Sequence, residues 1–253
     1  MKYLIASAAL ALAVGSSTCA SAVEVTLIAP GGIRAALQQM FPAFEKKTGY
    51  TVKGTFGSGG GTKAQVVKGD LFDVPVVQVP YDDVLKSGHV VVATETPLAN
   101  VSVGLAVRQG TPKPDISTAD AVKKLLLGAK YIAYPAAARG AAAGVSFDET
   151  LQKLGIADEM KPKIKVAQGG AGAMKMLAEG EVDYGLTFVS EIITEPGVEA
   201  VGPLPRSIST PTFLSGFISA DTKNVEAAKA LLAYISGPEA APVYKERGML
   251  PGK

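Results

Sequence analysis

Residues 23–68 read VEVTLIAPGGIRAALQQMFPAFEKKTGYTVKGTFGSGGGTKAQVVK, and this stretch decides the fold. Residues 23–29 are a mostly apolar run rich in β-branched side chains, which predicts a buried strand that stops at Pro30-Gly31-Gly32. Residues 33–47 then carry Leu37, Met40, Phe41 and Phe44 at helical spacing and end at Thr48-Gly49. A second strand is predicted over 51–56, followed by Gly57-Ser58-Gly59-Gly60-Gly61 and a short helix over 62–68 with Thr62 at its N-cap. A third strand over 74–79 and a helix over 81–87 repeat the unit. Strand and helix alternating three times predict a mostly parallel sheet with helices on both faces.

The same alternation restarts downstream. An extended segment at 101–108 leads to a helix over 118–127, opened by Ser117 or Thr118. Strands are predicted at 131–134, 163–167 and 184–188, with helices at 142–154 and 173–179 between them. An extended segment at 212–219 precedes two closing helices, 225–236 and 238–247. The fold class is therefore α/β with two lobes. The first lobe takes residues 23–100 and 208–253, the second takes 101–207, and the chain crosses between them twice.

Residues 1–22 stand apart from both lobes. Lys2 supplies a positive start, residues 3–14 are almost wholly apolar, and Ala20-Ser21-Ala22 gives a small-x-small end. This is the layout of a secretory signal peptide, with cleavage expected after Ala22. The apolar run is shorter than the roughly 20 residues a membrane span needs. Export to the periplasm as a soluble protein is the expectation. Cys19, the single cysteine, lies in this leader, so residues 23–253 hold no thiol for disulfides or catalysis. With His89 as the single histidine, a histidine metal cluster is excluded, and no metal or cofactor is expected. Charge is nearly balanced, 25 Lys and Arg against 23 Asp and Glu, with no basic cluster to suggest nucleic acid.

Four predicted strand-to-helix turns are built from small residues: Pro30-Gly31-Gly32-Ile33, Gly57 through Thr62, Arg139-Gly140-Ala141-Ala142-Ala143-Gly144, and Gly169-Gly170-Ala171-Gly172. In an open α/β sheet, ligands bind at the carboxyl ends of the strands, where such turns lie. Helix N-termini present unpaired N–H groups and partial positive charge, and small residues let an anion approach that backbone. The second turn lacks the Gly-Lys-Ser/Thr order of a nucleotide phosphate loop. Candidate binding residues are Gly32, Arg34, Ser58, Gly59, Thr62, Arg139, Gly140, Gly170 and Phe188. Two arginines suit planar carboxylates, because the guanidinium fork donates parallel hydrogen bonds.

The segments VTLIAPGGIRAAL, TFGSGGGTKAQV, ARGAAAGVSFDETLQKLGI and VDYGLTFVSE, in that order, resemble the periplasmic molybdate-binding proteins of ABC transporters. The resemblance covers essentially all of residues 23–253. It implies the type II periplasmic-binding-protein fold, with the ligand cleft between the lobes and a monomer as the default. The ligand set departs from that family. Gly32 stands where the resemblance implies a serine, Ser58 is kept but followed by Gly59 and Gly60, and Phe188 stands where a tyrosine is implied. Lost hydroxyls and gained arginines favour a polycarboxylate over a tetrahedral oxyanion. In these departures the chain resembles an isomerase built on this fold, and the resemblance implies interconversion of trans- and cis-aconitate. For an allylic proton shift of that kind, Lys63 and Tyr134 are the candidate catalytic bases. The alternative is a receptor that delivers a small anion, polycarboxylate or molybdate or tungstate, to an ABC permease.

Overall fold

The computed structural model describes residues 23–252, so the leader segment lies outside the described residues. The chain starts with β1 (Glu24–Pro30), α1 (Arg34–Thr48), β2 (Thr51–Gly57), α2 (Gly59–Lys68), β3 (Val74–Gln78), α3 (Asp82–Lys86) and β4 (Thr96–Val101). It continues through β5 (Val103–Arg108), α4 (Ala119–Gly128), β6 (Ile132–Pro135), α5 (Ala142–Lys153), α6 (Ala157–Met160), β7 (Ile164–Ala167), α7 (Gly169–Ala178), β8 (Tyr184–Phe188), α8 (Val189–Ile192) and β9 (Val198–Pro203). It ends with β10 (Thr212–Gly216), α9 (Val225–Ser236), α10 (Ala240–Glu246) and β11 (Leu250–Pro251).

Two sheets result. The first runs β11-β4-β10-β3-β1-β2 and the second β7-β6-β8-β5-β9. The chain leaves the first sheet at Ser102, between β4 and β5, and returns between Pro203 and Thr212. Both sheets are mixed, where the sequence predicted mostly parallel ones. The strand–helix units do pair in parallel, β1 with β2 and β3, and β6 with β7 and β8. The crossing strands run the opposite way, so β10 pairs antiparallel with β3 and β4, and β5 with β8 and β9.

Strand alternation decides what each face buries. In β1, Val25, Leu27 and Ala29 pack with Ala36, Leu37 and Phe44 of α1 and with Ala228 and Leu231 of α9. Ile28 points the other way, into a cluster with Val66 of α2, Val77, Val84 of α3 and Phe217. In β6, Ile132 and Tyr134 share the side of Phe147 and Leu151 of α5, while Ala133 meets Ala173, Met174 and Leu177 of α7. A strand covered on both faces needs an apolar run instead of strict alternation, which is why residues 23–29 read as they do.

Two helices start earlier than predicted. In α2, Gly59, Gly60 and Gly61 form the first turn, and the cap is Ser58, whose hydroxyl accepts the Gly61 N–H at 3.1 Å. Thr62 is thus inside the helix, fully buried, with its hydroxyl unpartnered. Likewise α7 begins at Gly169, so Gly169, Gly170 and Gly172, predicted as loop, are helical. Thr118 caps α4, accepting the Ala121 N–H at 3.1 Å. The strand β9 and the four-residue α8 have no counterpart in the sequence reading.

Candidate functional site

The four small-residue turns converge on one cavity of about 300 Å³ between the sheets. Its walls are Pro30, Gly31, Gly32, Arg34 and Ala35 at the start of α1, and Gly57, Ser58 and Gly59 at the start of α2. From the other side come Ala141, Ala142 and Ala143 of α5, and Gly169, Gly170 and Ala171 of α7. The N-cap residues of α5 and α7, Ala141 and Gln168, make no side-chain bond to the first turn. Their leading N–H groups are therefore left to whatever fills the cavity. Gln78, Pro135, Phe188, Ser190, Glu191, Thr194 and Glu195 complete the lining.

Two hydrogen bonds tie the sheets together beside this space. The Gly60 N–H donates to the Gly140 carbonyl at 3.0 Å. The Ser190 hydroxyl donates to the Gly32 carbonyl at 2.7 Å. The first contact demands glycine on both sides, since a Cβ on Gly60 would stand 3.0 Å from the Gly140 Cα, and Gly140 itself has a φ of 74°.

Of the residues singled out from sequence, Gly32, Arg34, Ser58, Gly59, Gly170 and Phe188 meet in the cavity. Arg34 is held at its edge, with the guanidinium 5.3 Å from the centre of the Phe56 ring and Nη2 donating to the Phe56 carbonyl at 3.5 Å. The Phe188 ring lies against Gly32, so closely that a Cβ on Gly32 would be 2.9 Å from Cδ2.

The others lie elsewhere. Arg139 is exposed and lines no part of the cavity, because the turn over Ala137–Arg139 directs it outward before Gly140 reverses the chain. Thr62 is buried beneath the turn. Lys63, one residue on and so about 100° around the helix, faces a separate surface depression with Tyr81 and Asp83. Its ammonium donates to the Pro80 carbonyl at 2.7 Å, and burial lowers its pKa, opposed by Asp83. Tyr134 is buried under α5, edge-on to Phe147, and its hydroxyl donates to Asp148 Oδ1 at 2.5 Å. Burial and Asp148 both raise its pKa far above the usual phenol range. Neither predicted base reaches the cavity.

The carboxylates that do line it, Glu191 and Glu195, are ones the sequence reading passed over. Glu191 sits in α8, directly after β8, and its Oε2 accepts from the Thr187 hydroxyl. Burial raises its carboxyl above the ordinary range, more than the hydrogen bonds from Thr187 and the Phe188 N–H and the charge of Arg34 lower it; Glu195 adds to the rise. The signal available was a hydroxyl, a serine and a carboxylate, Thr187, Ser190 and Glu191, at the end of a buried strand.

Two lobes around a ligand-sized cavity built from helix N-termini define a solute-binding protein of the type II periplasmic class. Over residues 25–250 the chain matches the family of bacterial extracellular solute-binding proteins, and it belongs to that family. Aconitate isomerase of Pseudomonas sp is 31% identical over 235 residues, 90% of this chain and 87% of the relative. The molybdate-binding protein ModA of Escherichia coli (strain K12) is 28% identical over 97% of this chain and 96% of its own. Among solved structures, the periplasmic molybdate-binding protein of Azotobacter vinelandii superposes with a TM-score of 0.74 at 22% identity, covering 89% of this chain and 98% of that one. Among the described residues no helix is long and apolar enough to cross a membrane, and no group of three His, Cys, Asp or Glu could hold a metal ion.

Proposed function

We propose that this protein is a periplasmic aconitate isomerase, which interconverts trans- and cis-aconitate by an allylic proton shift in the cavity between its lobes. The observation that carries this reading is the packing of Phe188 on Gly32. That contact fills the place where the molybdate-binding pattern implies two hydroxyl donors, and a serine at position 32 would bring its Cβ within 2.9 Å of the Phe188 ring, which would have to move. In place of a neutral hydroxyl cage the cavity offers the Arg34 guanidinium and the first turns of α2, α5 and α7. Arginine and backbone N–H groups suit carboxylates. At about 300 Å³ the space is at the small end for organic ligands, which suits a six-carbon acid. The similarity to aconitate isomerase of Pseudomonas sp supports the same assignment.

Substrate binding falls to Gly32, Arg34, Ser58, Gly59, Gly170 and Phe188, with the lobes of residues 23–100 plus 208–253 and 101–207 closing as a monomer. A receptor serving an ABC permease is the second reading, favoured by membership of a solute-binding family and by the ModA relative. Ligand-dependent melting separates polycarboxylate from oxyanion. At a concentration 100 times its Kd, trans-aconitate should stabilise the fold by about 2.7 kcal/mol, raising Tm by roughly 5–10 °C, while molybdate leaves it unchanged. A shift with molybdate alone would contradict the polycarboxylate assignment.

Arg34 gives a sharper test. Replacing it by alanine removes a charged pair of donors to one carboxylate and should weaken binding by about 2 kcal/mol, roughly 30-fold in Kd. Lysine in its place should recover part of this, because it keeps the charge and loses the fork. Titration calorimetry with trans-aconitate reads both; an unchanged Kd for Arg34→Ala would remove the residue from the site.

A further inference from the structure

The lining of the cavity contains three side chains that ionise, Arg34, Glu191 and Glu195. Arginine stays protonated in proteins and cannot act as a base. The choice therefore falls between Glu191 and Glu195, which lies four residues on, past the end of α8, and their settings differ. Glu191 is gripped between the lobes. A Cβ on Gly31, in the first lobe, would lie 3.2 Å from its Oε1, and a Cβ on Gly170, in the second, would lie 2.5 Å from its Oε2. Thr187, fully buried, donates its hydroxyl to Oε2, which fixes the carboxyl plane. Glu195 has no hydrogen bond of this kind among the described residues.

We propose that Glu191 is the acid–base residue of this site, taking a proton from the methylene carbon of the bound acid and returning one to the former vinyl carbon. The inference rests on the isomerase reading and names the group that performs it. As a carboxylate, Glu191 accepts the methylene proton. The C–H electron pair becomes the new carbon–carbon π bond, and the old π pair moves onto the vinyl carbon and into its carboxylate. Arg34 and the helix N-termini meet the charge that builds there. The Glu191 carboxylic acid then protonates the vinyl carbon and is a carboxylate again. One proton and one double bond have moved, and no oxidant or co-reactant is consumed.

The setting suits this task. Arg34 from α1 and the Thr187 and Phe188 donors favour the carboxylate, while burial and Glu195 favour the acid, and burial prevails. A carboxyl raised toward the working pH exchanges protons in both directions more readily than an ordinary one. The same rise has a stability consequence. With the folded pKa above the unfolded one, the fold binds the extra proton at low pH and loses that stabilisation as pH climbs through the folded value.

The test uses the purified protein, with trans-aconitate conversion followed by proton NMR and binding by calorimetry. Glu191→Gln keeps the size and the acceptor for Thr187 but holds no exchangeable acid proton. It should lower turnover about 1,000-fold, leave Kd within a few-fold, and melt no lower than the wild type above neutral pH. Glu191→Asp should retain measurable turnover on a shifted pH profile, and it decides the matter if the glutamine variant does not fold. Wild-type conversion together with a glutamine variant within tenfold of it overturns Glu191 and leaves the isomerase intact. The same holds if Glu195→Gln loses more activity than Glu191→Gln. Wild-type binding without conversion removes the isomerase reading and this role with it.

Discussion

Gly170→Ala should leave the protein folded and nearly inactive. Gly170 is the second residue of α7, and its φ is not in the left-handed region, so alanine fits the backbone and is the better helix former. Its methyl group, however, would stand 2.5 Å from Glu191 Oε2 and 2.7 Å from Thr187 Oγ1. Both atoms end side chains, so the protein accommodates the methyl by turning them away. The carboxyl and the hydroxyl that orients it would then shift by about 1 Å, a displacement that costs about 100-fold in rate when it falls on a reacting group. Steady-state conversion of trans-aconitate and a melting curve read this together. A 100-fold loss with Tm within a few degrees is the expected pair. Full activity would mean that the placement of Glu191 is immaterial.

Gly144→Ala should act on the fold itself. Gly144 lies in the first turn of α5, where a Cβ would come 2.1 Å from the Pro135 carbonyl oxygen and 2.8 Å from the Ala137 nitrogen. These are backbone atoms at and just past the end of β6, and no flexible side chain is there to give way. Overpacking against rigid neighbours costs about 3 kcal/mol, against the gain of about 1 kcal/mol that alanine normally brings to a helix. Calorimetry should show Tm lower by roughly 4–8 °C, the scale for a domain of this size. Because α5 would be pushed back from the cavity, trans-aconitate binding should weaken as well. A rise in Tm would show that α5 sits further from β6 than the contact implies.

Much of the fold is legible because each element follows one simple period. The strand at Tyr184–Phe188 and the helix at Val225–Ser236 have the bounds the sequence predicted. An apolar run bounded by turns and a helical stripe bounded by breakers are local signals. The mixed character of the sheets is not local. Which way β4 and β10 run relative to β3 depends on how the chain crosses between lobes, and no period in residues 96–101 or 212–216 records it.

The site divides along the same line. Gly32, Ser58, Gly59 and Gly170 were found because small residues before a helix carry a backbone requirement that can be read one residue at a time. Thr62 was placed at a cap because glycines discourage helices, yet Ser58 caps three of them into the first turn of α2. Lys63 and Tyr134 were placed by closeness in sequence to strand ends, whereas helix rotation and strand alternation send both away from the cavity. Nothing local marks Glu191: it follows β8 without a glycine turn, and Gly31, 160 positions earlier in the chain, packs beside it only in the folded protein.

The central claim, that this solute-binding fold changes its ligand and does not merely hold it, is tested most directly by incubating the purified protein with trans-aconitate in deuterated water and recording proton spectra. The account predicts that cis-aconitate appears at a rate proportional to protein concentration and that Glu191→Gln slows it about 1,000-fold. Tight binding with the trans-aconitate spectrum unchanged over the same period would contradict it and leave a receptor.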